Sequence, residues 1–185
     1  MNSIILIGMP GSGKSTLGRQ LAEYLNFRFI DTDELIENHH GESLQSILDK
    51  HGYLALRNIE AEELLQLQLE RHVVATGGSA VYSEGAMMHL QKQGTIVYLK
   101  VDFEEILTRI DNEDCRGIAR PAGQSLQAVY AERTPRYQQF ADITIDNNQL
   151  FSLDKIVDAV NTGIESASDP SSPLTLLKNN GNTMA

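Results

Sequence analysis

Short apolar runs recur along the chain at residues 4–7 (IILI), 29–30 (FI), 72–75 (HVVA), 95–99 (TIVYL) and 143–145 (ITI). They are too brief and too continuously apolar to be half-exposed strands, and their length suits strands buried on both faces. The segments between them carry helical spacing. Residues 14–25 place Leu17, Leu21 and Leu25 on one face, residues 52–69 point Leu56, Ile59 and Leu67 inward, and residues 103–110, 126–133 and 153–164 read as further helices. Strands alternating with helices predict a parallel sheet covered on both sides. The expected fold is therefore α/β, a three-layer α/β/α domain with a five-stranded parallel sheet.

Length sets the domain count. With 185 residues, 41% hydrophobic and 22% charged, the chain suits one globular domain, expected over residues 1–165. Residues 166–185 (SASDPSSPLTLLKNNGNTMA) are rich in Ser, Pro, Asn and Gly and are expected to form a disordered tail. Residues 111–124 (DNEDCRGIARPAGQ) carry charge, two glycines and a proline without apolar periodicity, which predicts a long loop able to act as a lid. No run approaches the roughly 20 apolar residues of a bilayer span, and residues 4–7 are too few for a secretory signal. A soluble, cytoplasmic, monomeric protein without membrane partners is expected. The lone cysteine, Cys115, has no second thiol in the chain to pair with and no evident histidine partner, so it reads as an ordinary thiol. A formal net charge of −10 argues against nucleic acid as a partner, because a broad cationic face is missing. A small anionic substrate needs only a few local cations.

Residues 8–15 (GMPGSGKS) match GxxxxGK(S/T) through Gly8, Gly13, Lys14 and Ser15. The motif follows a predicted strand and opens a predicted helix, the context in which it binds nucleotide phosphates. Backbone N–H groups of Gly11, Ser12, Gly13, Lys14, Ser15 and Thr16 are the expected cradle for ATP, reinforced by the positive end of the helix. Lys14 reaches the β- and γ-phosphates, and the Ser15 hydroxyl is placed for Mg²⁺.

The loop alone does not choose among switches, motors and kinases. A guanine-reading NKxD is absent, and the formal DxxG at residues 114–117 falls in the lid candidate rather than after a strand. The strand at 72–75 runs into Thr76, Gly77 and Gly78 instead of the acidic end usual in motors. What the chain offers instead is Asp31, Thr32 and Asp33 at the end of the second strand. Period-two alternation would aim both carboxylates the same way, into the crevice at the strand C-termini. Asp31 could hold the Mg²⁺ shell and Asp33 could orient or deprotonate an attacking hydroxyl. The plainer role is capping of the helix that follows.

The combination of GMPGSGKST, DTD, an Arg and Glu three apart in the next long helix, and a strand running into glycines resembles the shikimate kinase family over about residues 2–165. The resemblance implies MgATP held by the loop, Ser15 and Asp31. It further implies that Asp33 binds the acceptor's hydroxyls, that Arg57 (in LRNIE, where the family usually has FRxxE) and Arg133 (in ERTPRY, where it often has ERxPLY) hold a carboxylate, and that Gly78 closes the pocket. Glu60, one turn after Arg57, is placed to fix that guanidinium's direction, and Arg136 is an extra, solvated cation. Two departures stand out. The family's GGG turn is Gly77, Gly78 and Ser79 here, and the lid lacks the family's RPLL. Arg116 lies seven residues after Arg109, the spacing the resemblance leads one to expect, whereas Arg120 has the following proline but sits four residues later. Spacing favours Arg116 as the lid arginine that covers the phosphates. The expected activity is ATP-dependent phosphorylation of a hydroxyl on a small carboxylated polyol, shikimate first, with another small acid such as gluconate, or a non-catalytic ATP-binding module, as alternatives.

Overall fold

The computed structural model of the chain describes residues 2–110, 117–148, 153 and 156–158. Residues 1–150 form one compact unit; residues 151–185 form a second, in which residues 153 and 156–158 are described and helical. The expected disordered tail, most of the helix expected at 153–164, and Arg116 with Cys115 lie outside the described residues.

Five strands, β1 (Ser3–Ile7), β2 (Arg28–Asp31), β3 (His72–Ala75), β4 (Gly94–Lys100) and β5 (Ile143–Asp146), pair in the order β2-β3-β1-β4-β5, every pair parallel. This is the sheet the apolar runs predict. Its central strand β1 is buried along its whole length and β3 and β4 over most of theirs: Ile4, Ile5, Leu6 and Ile7 are solvent-inaccessible, as are Val73, Val74, Ile96, Val97 and Leu99. Such strands need cover on both faces. Ile5, Ile7, Val74, Ile96 and Tyr98 join one core with Leu64, Met87, Leu90, Val129 and Tyr137 from helices. Strand neighbours point alternately, so Ile4, Leu6 and Val97 face the opposite side.

Among the described residues the helices of this unit are α1 (Lys14–Leu25), α2 (Thr32–His40), α3 (Leu44–Gln66), α4 (Glu84–Gln91), α5 (Phe103–Arg109) and α6 (Leu126–Phe140), with a 3₁₀ turn at Ala80–Tyr82. Three differ from expectation. The long helix does not begin at residue 52. It starts at Leu44, capped by the Ser43 hydroxyl, and breaks at Gly52, whose φ of 81° interrupts the helical path. A left-handed residue there costs little only because it is glycine. Helix α6 does not stop at Arg133 but passes through Pro135 to Phe140. Proline removes one helical donor, and burial of Tyr137 and Phe140 beyond it carries the helix on. Helix α4 was not marked by periodicity, though Ala86, Met87 and Leu90 on it are buried. In the lid candidate, Ile118 and Ala119 are buried and the Gly117 N–H donates to Gln45 Oε1 at 3.2 Å. The described part of that loop is thus packed against the start of α3. Among the described residues no helix is long and apolar enough to cross a membrane.

Candidate active site

The C-terminal ends of β1, β2 and β3 bring the phosphate loop, the acidic segment and the glycine turn together, since parallel strands in register deliver their following loops to one edge. At the loop, Gly13 takes φ 92° as the N-cap of α1, a left-handed geometry that aims successive N–H groups at one point. No acidic residue stands in the helix's first turn, so its positive end is left for an external anion. Ser15 and Thr16 are exposed there. Lys14 is 8% exposed and its Nζ donates to the carbonyls of Gly8 and Met9 at 3.0 and 2.9 Å. Burial pulls its pKa down to about 8, against the opposing pull of Asp33, Asp31 and Glu60. The loop is braced from β5: Asn147 Nδ2 donates to the Ser12 carbonyl at 2.8 Å while its own N–H holds Lys100 O at 2.7 Å. Asn147 carries no local signal, since its partner lies 135 positions away.

The acids are arranged differently from the expectation. β2 ends at Asp31, so Asp31 and Asp33 do not alternate along a strand. Asp31 is the N-cap of α2, with Oδ1 accepting the Asp33 N–H at 3.1 Å, and Asp33 rides in the first turn of the helix. The capping role is therefore true of Asp31, and it turns Asp33 rather than pairing with it. Asp33 meets a second buried carboxylate, Glu60, across Gly77. A β-carbon added to Gly77 would lie 2.3 Å from Glu60 Oε1 and 2.7 Å from Asp33 Oδ1, so those oxygens are no further apart than the sum of the two distances. Only glycine fits between them. The Gly77 N–H donates to Thr32 Oγ1 at 2.9 Å, which ties the turn to the start of α2. Glu60 is 4% exposed; its Oε2 accepts a hydrogen bond from the Ser79 hydroxyl, and its Oε1 is buried without a partner. Burial, then the Asp33 charge, raise Glu60 to about 7, while burial raises Asp33 to about 6.

Glu60 does not orient Arg57, contrary to the expectation from their spacing; Ser79 holds it instead. Arg57 donates from Nε and Nη2 to the Ala119 carbonyl at 3.3 and 3.1 Å, and its guanidinium lies 3.5 Å from the centre of the Tyr82 ring. Arg133, 1% exposed, donates from Nη2 to the same Ala119 oxygen at 2.8 Å. Two guanidiniums thus converge on one oxygen. Arg133 also stands against the glycine turn, where a β-carbon on Gly78 would lie 2.9 Å from its Nη1. Tyr137, one turn later on α6, fixes that turn by donating to Gly78 O at 2.6 Å. Arg136 is exposed, as expected, with its guanidinium 5.0 Å from the Tyr82 ring. Arg120 Nη1 is engaged with Gln124 O at 2.8 Å. Tyr82, Tyr137 and the Ala119 carbonyl join Asn147 as site groups without a signal in the sequence.

Among the described residues no three His, Cys, Asp or Glu side chains cluster as a metal cage. A magnesium ion needs none, since it keeps most of its water and is held by one or two protein oxygens plus phosphate. The exposed Ser15 hydroxyl on the loop and the Asp31 carboxylate, whose charge acts on the loop's Lys14, are a donor set of that kind.

Known proteins resemble the chain over most of its length. A family model described as shikimate kinase matches residues 10–162. A shikimate kinase of Paracidovorax citrulli is 39% identical over 148 residues, covering 77% of this chain and 81% of its own length. One from Caldanaerobacter subterraneus is 38% identical over 149 residues, with 79% and 86% covered. Among solved structures, a shikimate kinase from Acinetobacter baumannii in complex with shikimate superposes with a TM-score of 0.78 at 31% identity, covering 91% of this chain and 96% of that one.

Proposed function

The chain belongs to the shikimate kinase family and is a kinase that phosphorylates a hydroxyl group, and we propose that it carries the γ-phosphoryl group of ATP to a hydroxyl of shikimate, giving shikimate 3-phosphate. The observation that carries the acceptor assignment is the convergence of Arg57 and Arg133 on a single oxygen. Two guanidiniums aimed at one point beside the glycine turn are what a carboxylate-bearing acceptor requires.

In this reading, Gly11, Ser12, Gly13, Lys14, Ser15 and Thr16 hold the phosphates of ATP, and Lys14 spreads the charge of the β- and γ-phosphates. Ser15 and Asp31 hold Mg²⁺, which supplies further neutralisation of phosphate charge when bound. Arg57, Arg133 and the backbone of Gly78 fix the acceptor's carboxylate end, which turns a bimolecular encounter into an oriented one. Asp33 receives the hydroxyl proton as the new P–O bond forms and the bond to the β-phosphate oxygen breaks, leaving ADP. Arg116 arrives with the lid segment and covers the transferring group; Arg120, engaged with Gln124, is the other candidate. The enzyme acts as a cytoplasmic monomer on small molecules.

The test is ADP release measured with shikimate, with a panel of small hydroxy acids including gluconate, and with water alone. Shikimate should stimulate release well above the rest. Stimulation by a different acid alone would keep the kinase and discard shikimate. Lys14→Ala should abolish turnover; full activity in that variant would overturn the phosphate-site assignment.

A further inference from the structure

Arg57 carries a second feature that its role as a carboxylate ligand does not require: the plane of an aromatic ring against its guanidinium. An arginine one helical turn before a glutamate ordinarily pairs with it. Here that glutamate is bound to Ser79, and no ion pair among the described residues includes Arg57, Arg133 or Arg136. All three guanidiniums instead gather around Tyr82, at 3.5, 5.4 and 5.0 Å from its ring centre. Tyr53 adds a second ring 5.0 Å from Arg57. Ser79 and Tyr82 stand at the two ends of one turn, closed by the Tyr82 N–H to Ser79 O bond of 3.0 Å. The same short segment therefore draws Glu60 away and offers Arg57 a neutral face.

We infer that Tyr82 is a positioning residue for the acceptor site: its ring holds Arg57 in place without neutralising it, so that the guanidinium's charge stays available for the acceptor's carboxylate. The inference rests on the reading of Arg57 as a carboxylate ligand. A carboxylate partner would orient Arg57 equally well, but it would compete with the acceptor for the same hydrogen-bond donors. A ring orients the guanidinium through its face and leaves the in-plane N–H groups free. Arg57 and Arg133 repel one another as like charges converging on Ala119 O, and the ring lying close to both lowers that cost. Arg136 stands on the exposed side of the same ring in a chain of net charge −10, where it adds to a local cationic entrance.

The experiment compares Tyr82→Phe, Tyr82→Leu, Arg57→Ala and the Tyr82→Leu/Arg57→Ala double variant, reading steady-state kinetics and calorimetric affinity for shikimate. Tyr82→Leu should raise KM and Kd for shikimate about tenfold, in line with a partly desolvated cation–π contact, while KM for ATP and kcat stay within about twofold. Tyr82→Phe should behave as the parent, because the ring is kept. In the double variant the effect of Tyr82→Leu should disappear, since there is no guanidinium left to hold. Independent, multiplicative effects of the two substitutions would overturn the inference, as would a Tyr82→Phe variant as impaired as Tyr82→Leu. Unchanged shikimate affinity in Arg57→Ala would instead overturn the carboxylate-ligand reading beneath it.

Discussion

Replacing Glu60 by glutamine should make the protein more stable, and more so as pH rises. Glu60 is 4% exposed, its Oε1 has no hydrogen-bond partner, and neither Lys14 nor Arg133 forms an ion pair with it. Desolvation therefore outweighs attraction, and its pKa stands at about 7 against an ordinary value of 4.5. For an acid whose pKa is raised by folding, the native state binds the extra proton. Its stabilising contribution is complete below the unfolded value and is lost as pH climbs through about 7. At roughly 1.4 kcal/mol for each pH unit of separation, the ceiling is about 3 kcal/mol, and sharing of the proton with Asp33 lowers the expectation to about 2 kcal/mol. Glutamine keeps an oxygen for the Ser79 hydroxyl and has nothing to ionise. Urea unfolding of parent and Glu60→Gln, without ligands, at about pH 5 and about pH 8 isolates the effect as a difference of differences. The variant's advantage should grow by about 2 kcal/mol between the two, or by about 4–8 °C in Tm. An advantage that stays constant with pH would refute the claim that Glu60 ionises against burial.

Gly77→Ala should cut kcat at least tenfold and destabilise the protein by about 1–3 kcal/mol, the range for forcing an atom into a filled space, because its β-carbon would press on both Glu60 Oε1 and Asp33 Oδ1; unaltered kinetics would mean the two carboxylates are not fixed across that glycine. Arg116→Ala should lower kcat on the order of a hundredfold, as expected for losing a charge that acts only on the transferring group, with Arg120→Ala within a few-fold of the parent. The reverse ranking in single-turnover measurements would move the lid role to Arg120, and equal small effects would remove it from both.

How much of this was legible depended on whether the information was local. The five strands could be placed because each centres on a short apolar run, buried throughout in β1 and only partly in the edge strands β2 and β5, and the phosphate loop because its glycines and Lys14 sit in consecutive positions at a strand-to-helix junction. Helix α2 (TDELIENHH) shows only Leu35 and Ile36 as apolar residues, too few to set a period, and the first half of α3 is separated from the second by Gly52. Strand alternation would aim Asp33 alongside Asp31 only if β2 ran two residues further; the N-cap at Asp31 turns the chain sooner. Arg57, Arg133, Gly78 and Asp33 could be singled out as candidates by residue type and by resemblance, but their partners could not. Glu60 finds Ser79 across 19 positions, and Arg57 finds the Ala119 carbonyl across 62. A backbone oxygen has no identity in a sequence, so nothing at position 119 could announce it.

The two kinds of charge in the site are handled in opposite ways, and the difference follows from what each must meet. In the proposed reading the arginines meet an anion that arrives from solvent; among the described residues no ion pair includes them, and a ring and a carbonyl dipole steady them instead of a counter-ion. In the same reading the carboxylates stand where a hydroxyl gives up a proton close to incoming phosphates, and two full negative charges at that spot would repel the donor. Packing Glu60 against Asp33 across Gly77 makes double ionisation costly. Burial raises both groups, Glu60 to about 7 and Asp33 to about 6, so the pair resists losing both protons. In the proposed reading an ionised Asp33 beside Lys14 takes the hydroxyl proton, and protonation of Glu60 lessens the repulsion it meets. Ser79, by donating to Glu60 Oε2, pulls the other way and stops that proton from being held too tightly. The serine that interrupts the glycine turn thus bears on both halves of the site, tuning the acid pair on one side and freeing Arg57 on the other.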